Sequence, residues 1–122
     1  MAEELVRRQR PPHDQDAALA GRIVEQIAAD RAAVSVDDIA RGWGLSTRAL
    51  QRLFREYVGV GPKWVIKRYR LHEAVERAAD RTVDWPGLAR ELGYVDQAHF
   101  IRDFKAIVGQ PPAAYARAAA AL

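Results

Sequence analysis

Apolar residues recur at helical spacing in block after block of this chain, and no stretch alternates in twos as a half-buried strand does. Leu19, Ile23 and Ile27, with alanines between them, predict an amphipathic helix from Ala17 to Asp30. Ser35 with Asp38 three residues on has the pattern of a capping box, opening a short helix over 36–42 that turns Val36, Ile39 and Ala40 inward. Gly44 permits the positive φ of a tight turn, and Ser46 caps a helix over 47–58 with the stripe Leu50, Leu53, Phe54, Tyr57 and Val58. Gly59 and Gly61 stop it, and Pro62 suits the first turn of a long helix to Ala79. The apolar positions of that helix are Trp64, Val65, Leu71, Ala74, Val75 and Ala78. Asp84 caps a fifth helix opened by Trp85-Pro86 and packed through Leu88, Ala89 and Leu92. Past Gly93-Tyr94, Asp96 caps a sixth over 97–108, with Phe100, Phe104, Ile107 and Val108 inside. Gly109 and Pro111-Pro112 end it, and a short helix over 113–119 closes an all-α fold of about seven helices.

Two of these blocks are the same block. Ala40, Arg41 and Gly44 return 49 positions later as Ala89, Arg90 and Gly93. One extra residue then makes the offset 50, pairing Leu50 with Phe100, Arg52 with Arg102, Phe54 with Phe104, Gly59 with Gly109 and Pro62 with Pro112. Each copy is a short helix, a Gly-containing turn and a second helix with a basic outer face. A solenoid needs three or more such repeats, so two copies joined by one helix suit a bipartite reader better. The segments expected are a flexible leader over 1–15, a first helix-turn-helix subdomain over 16–60, a linker helix over 61–80 and a second subdomain over 81–122.

Composition narrows the class without deciding it. Cysteine is absent, which removes disulfides and thiolate metal sites, and no apolar run reaches the length of a membrane span. The polar, proline-bearing N-terminus is no signal peptide, and a cytoplasmic location with no membrane partner is expected. The net charge of +3 is modest. From Arg41 to Arg70, however, eight basic residues face the single acid Glu56, a field that attracts polyanions.

Opposite the Leu50/Phe54 stripe, Arg48, Gln51, Arg52 and Arg55 fall at i, i+3, i+4 and i+7, one ridge on the outer face. Arg spans guanine O6 and N7, and Gln spans adenine N6 and N7, so the ridge suits a major groove. A solvated helix face accounts for the same residues, and the repeat tips the balance toward DNA. The second ridge is Ala98, Ile101, Arg102 and Lys105, with Gln97 at the exposed first turn. Ala98 and Ile101 suit thymine methyls or, for Ile101, a neighbouring protein surface; His99 suits a phosphate, a base edge or packing. The helix starts at Ser46-Thr47 and Asp96-Gln97 offer backbone N–H groups to a phosphate, although the Asp96 carboxylate opposes one. Arg55, Lys63, Lys67 and Lys105 complete the expected phosphate contacts.

The stretch 35–117 resembles the C-terminal DNA-binding domain of AraC/XylS-family transcriptional regulators. The resemblance rests on Ile39-Ala40, Gly44, Ser46, Leu50, Arg52-Leu53-Phe54 and Gly59, then on Pro62, Trp64, Arg70-Leu71 and Ala74. Its most diagnostic part is Ala89, Gly93-Tyr94, Asp96-Gln97, Phe100, Arg102, Phe104-Lys105, Gly109 to Pro112 and Tyr115. It implies a seven-helix unit in which a long helix holds two helix-turn-helix subdomains, with helices 47–58 and 97–108 entering successive major grooves about 34 Å apart. It also implies Arg48, Gln51 and Arg52, then Gln97, Ala98 and Arg102, as base readers; Ile101 departs from the polar residue often found there. The partners it implies are promoter DNA, RNA polymerase and a sensor or dimerisation domain on the N-terminal side. Only 34 residues precede the motif, so a stand-alone regulator or an excised C-terminal piece is expected, the charged linker-like start favouring the piece.

Rival chemistry has little to work with. Gly59-Val60-Gly61-Pro62 reads as helix termination rather than a phosphate loop, and no cofactor or enzyme activity is expected. His72 and Glu76 have i, i+4 metal-ligand spacing but no evident third ligand, and read as a surface pair. The alternative function is a helical protein-interaction module presenting Trp43, Trp85 and Ile101.

Overall fold

Capping residues and glycines set the helix ends. The computed structural model describes residues 12–80 and 82–115. Within them run α1 Pro12–Ala29, α2 Val36–Gly42, α3 Thr47–Tyr57, α4 Pro62–Ala78, α5 Trp85–Glu91 and α6 Gln97–Val108. Residues 112–115 are helical too, so the expected last helix has begun, and its remainder to 119 lies outside the described residues. There is no strand among the described residues. α1 starts at Pro12, five positions before the apolar spacing predicts, because proline's missing N–H has no helical partner to lose at a first turn. The expected leader therefore gives its last four residues, 12–15, to α1, and the rest of it lies outside the described residues.

The chain divides into two compact units, Met1–Val65 and Ile66–Leu122, with the boundary inside α4. In the first, α1 and α2 both pack on α3. Its interior is Ile23, Ile27, Ile39, Ala40, Leu50 and Phe54, all buried. Burying a side chain such as Leu50 or Phe54 stabilises the unit by about 1.5–3 kcal/mol each. In the second unit α5 packs on α6, around Ile66, Leu71, Ala74, Leu92, Phe100 and Phe104. Phe104 meets Trp85 edge-on at 5.2 Å, Tyr115 at 5.9 Å and Phe100 at 5.8 Å between ring centroids.

Trp64, one of the apolar positions of α4, is 42% exposed, and Val65 and Ile66 take the buried positions one and two residues on. Trp43 and Trp85 are half-buried. The Trp43 indole N–H donates to Gln26, which ties the α2–α3 turn to α1.

Candidate nucleic-acid interface

α3 is positioned by its cap, its turn and its buried stripe. Gly44 sits at φ 70°, and the following Leu45 N–H returns to the Ala40 carbonyl at 2.8 Å, closing the turn. Ser46 then accepts the Ala49 N–H at 3.0 Å and fixes the start of α3. With Leu50 and Phe54 buried, Arg48, Gln51, Arg52 and Arg55 are all exposed on the opposite ridge. Lys63, in the first turn of α4, is exposed as well. The Thr47 hydroxyl donates to Asp37 at 2.6 Å, so its one proton is engaged and its backbone N–H is what remains to offer an anion.

The second copy reproduces this frame. Gly93 sits at φ 85°, the Tyr94 N–H returns to the Ala89 carbonyl at 3.0 Å, and Asp96 accepts the His99 N–H at 2.7 Å. Gln97, Ala98, His99, Ile101, Arg102 and Lys105 are exposed along α6.

Behind that face lies a cluster that spacing alone did not reveal. One oxygen of Asp103 accepts the Tyr94 hydroxyl at 2.7 Å and the Lys67 ammonium at 2.9 Å, with His99 Nε2 at 3.6 Å. The same ammonium lies 4.4 Å from the centre of the Tyr94 ring. Partial burial pushes the Asp103 carboxyl up, but the hydrogen bonds from Tyr94 and Lys67 and the Lys67 charge outweigh it and hold the carboxyl below its ordinary range. Burial, and the carboxylate it bonds to, push the Tyr94 phenol up.

This cluster relocates a residue expected at the DNA backbone. The Lys67 side chain is only 13% exposed and is committed to Asp103, so it is not available as a phosphate anchor. Arg70, counted in the basic field, is buried with its guanidinium on Glu73 at 2.9 Å. Arg48, Arg52 and Arg55 on α3, Lys63 at the start of α4, and Arg102 and Lys105 on α6 are exposed. His99, half-exposed, keeps one ring edge near Asp103 and packs edge-on against Tyr94 at 5.2 Å. His72 is half-buried, and among the described residues no three His, Asp or Glu side chains are grouped to hold a metal ion. No helix among the described residues is long and apolar enough to cross a membrane.

Comparison with known proteins places this arrangement. A family model described as a helix-turn-helix domain matches residues 39–118. The chain is 33% identical over 82 residues to the HTH-type transcriptional activator AarP of Providencia stuartii, covering 67% of this chain and 61% of that protein. It is 34% identical over 79 residues to the HTH-type transcriptional regulator GlxA of Rhizobium meliloti, covering 65% of this chain and 24% of that one. It is 26% identical over 116 residues to a putative AraC-like transcription regulator of Streptomyces lividans, of which it covers 38%. The chain thus spans less than two thirds of each of these relatives. In fold it is similar to the C-terminal domain of AraT, a response regulator from Geobacillus stearothermophilus, with a TM-score of 0.60 at 21% identity over 80% of this chain and 83% of that one.

Proposed function

Because the chain belongs to the family of AraC-type helix-turn-helix domains, we propose that it is a sequence-specific reader of double-stranded promoter DNA that regulates transcription. α3 and α6 enter two successive major grooves on one face of the duplex, roughly 34 Å apart. The observation that carries this reading is the exposed Arg48, Gln51, Arg52, Arg55 ridge, set on a capped helix whose other face is buried. Arg48 and Arg52 read guanine and Gln51 reads adenine in the first groove; Gln97, Ala98 and Arg102 read the second. Arg55, Lys63 and Lys105, with the backbone N–H groups at Ser46-Thr47, grip phosphates, and His99 reaches the same backbone from α6. Lys67 is left out of this set, because its charge is spent inside the second unit. Transcription changes by contact with RNA polymerase or by occlusion, in the cytoplasm and without enzymatic chemistry.

Selection from a random duplex library at about 150 mM salt tests the reading, since that salt suppresses non-specific phosphate binding. Two enriched blocks about 10 base pairs apart are expected. With about 6–10 phosphate contacts, affinity should fall roughly 10³–10⁵-fold between 50 and 200 mM salt. A folded sample that enriches nothing, with salt-insensitive partner binding, would replace this reading with the interaction module, for which the exposed Val95 and Ile101 speak.

A further inference from the structure

We propose that the second reading helix selects A·T pairs by apolar contact with thymine methyl groups, through Val95, Ala98 and Ile101. This rests on the duplex-binding reading above and assigns its second half a different chemistry from the first.

The repeat isolates the change. Ala98 stands where the first copy has Arg48, and Ile101 stands where it has Gln51. Val95 has no counterpart: it lies between Tyr94 and the cap Asp96, whereas Leu45 runs directly into the cap Ser46. That inserted residue is 95% exposed, and Ile101 is 36% exposed. With Trp64 they are the large exposed hydrophobics among the described residues, and both line one open groove of about 480 Å³ together with Gln97 and Phe100. The second copy has thus replaced or added three positions around the tip of its reading helix, each time with an apolar side chain.

The residues beside the patch favour a duplex over an apolar protein surface. Arg102 and Lys105, one and four positions past Ile101, are exposed on the same ridge. A nonpolar partner would have to strip water from both cations, whereas phosphates and guanine pair with them. In the major groove the thymine methyl is the apolar feature that tells A·T from the other pairs, and adenine N6 and N7 on the same pair suit Gln97.

The test removes the methyl and nothing else. In the selected operator, each thymine of the block read by α6 is replaced by deoxyuridine, and the dissociation constant is measured. Each contacted methyl should cost about three- to fivefold, the worth of one buried carbon. The same replacement in the first block should change binding less than about twofold. Ile101→Gln, an exposed position whose helix is checked by circular dichroism, should lose the discrimination at the thymine it contacts and keep it at those contacted by Val95 and Ala98. A second block without thymine overturns the proposal. So does equal binding of the two operators by the unaltered chain, or discrimination that is undiminished in Ile101→Gln combined with Val95→Ser. Absence of any duplex binding would instead overturn the DNA reading, and this proposal with it.

Discussion

Residues 36–58 and 85–109 build one backbone device from two kinds of side-chain chemistry. Both have a capped helix, a glycine at positive φ in the turn and a second capped helix with a buried aromatic at its centre. The first is closed by buried apolar side chains, Ile39, Ala40, Leu50 and Phe54, and exposes the polar ridge of α3. The second has Tyr94 where the first has Leu45 and Asp103 where it has Leu53, and these two side chains bond to each other and to Lys67. Its α5 buries no residue fully, whereas α2 buries Ile39 and Ala40. The lesson is that the frame is held by backbone rules both copies obey, while packing and outer face are free to differ. The second copy has moved polarity inside and apolar groups out.

The largest effect expected is at the aromatic centres. Phe54→Ala should destabilise the first unit by about 3–5 kcal/mol in urea unfolding. Phe104→Ala should fall at or above the top of that range, because Phe104 also loses edge contacts to Trp85, Phe100 and Tyr115 worth about 0.5–1.5 kcal/mol each. Equal losses would mean that the aromatic cluster adds nothing beyond buried area, and this side of the comparison would collapse.

Next comes the polar closure. Asp103→Asn keeps the shape but leaves the Lys67 ammonium without its counter-charge. It should cost about 2–3 kcal/mol, less than the 3–5 of a fully buried pair because Asp103 is partly exposed. Replacing Lys67, Tyr94 and Asp103 together by Met, Leu and Leu, which gives the second copy the first copy's chemistry, should be nearly neutral. The pH response separates the copies further. Asp103 has a lower pKa folded than unfolded, so its contribution is present above the ordinary carboxylate value of about 4 and is lost as pH falls through the folded value. Tyr94 is shifted the other way, so its contribution is intact below the ordinary phenol value of about 10 and is lost as pH rises beyond it. Thermal melts across pH should show both losses in the native chain, the acid one diminished in Asp103→Asn and the alkaline one abolished in Tyr94→Phe.

Much of this architecture was legible from local rules. Ser35, Ser46, Asp84 and Asp96 all cap where spacing placed them, and the buried pairs Leu50/Phe54 and Phe100/Phe104 follow the helical period. What local spacing missed was long-range: Lys67 and Asp103 are 36 residues apart, and no periodicity links them. The repeat did hold a signal, because Leu45/Tyr94 and Leu53/Asp103 depart together, an apolar pair replaced by a phenol and a carboxylate able to bond. For the same reason the basic field was over-counted. A charge total cannot tell Arg70, buried on Glu73, from Arg52, exposed on its ridge.

The shared frame makes its own, smaller prediction. Gly44→Ala and Gly93→Ala force a β-carbon into the left-handed region at φ 70° and 85°. Nothing lies within 4 Å of either added carbon, so the cost is backbone strain alone, about 1–2 kcal/mol at each site. Similar losses in urea unfolding would confirm that the two turns are one device. A loss confined to Gly44 would mean that the inserted Val95 has relieved the second turn of its constraint.

The smallest effect concerns the cap of the second helix in each copy, which differs in charge between them. Ser46 and Asp96 do the same structural work, each accepting the N–H three residues on, but Asp96 places a carboxylate where α6 would meet a phosphate. Asp96→Ser keeps a capping oxygen, so unfolding free energy should move by less than about 0.5 kcal/mol. Duplex binding should tighten about two- to fivefold at low salt and converge with the native chain as salt screens the carboxylate. A tightening that persists at high salt would mean that Asp96 obstructs the duplex by shape instead. No change at any salt would mean that the start of α6 stands away from the phosphates, leaving Lys105 further along the helix as the second copy's grip on the backbone.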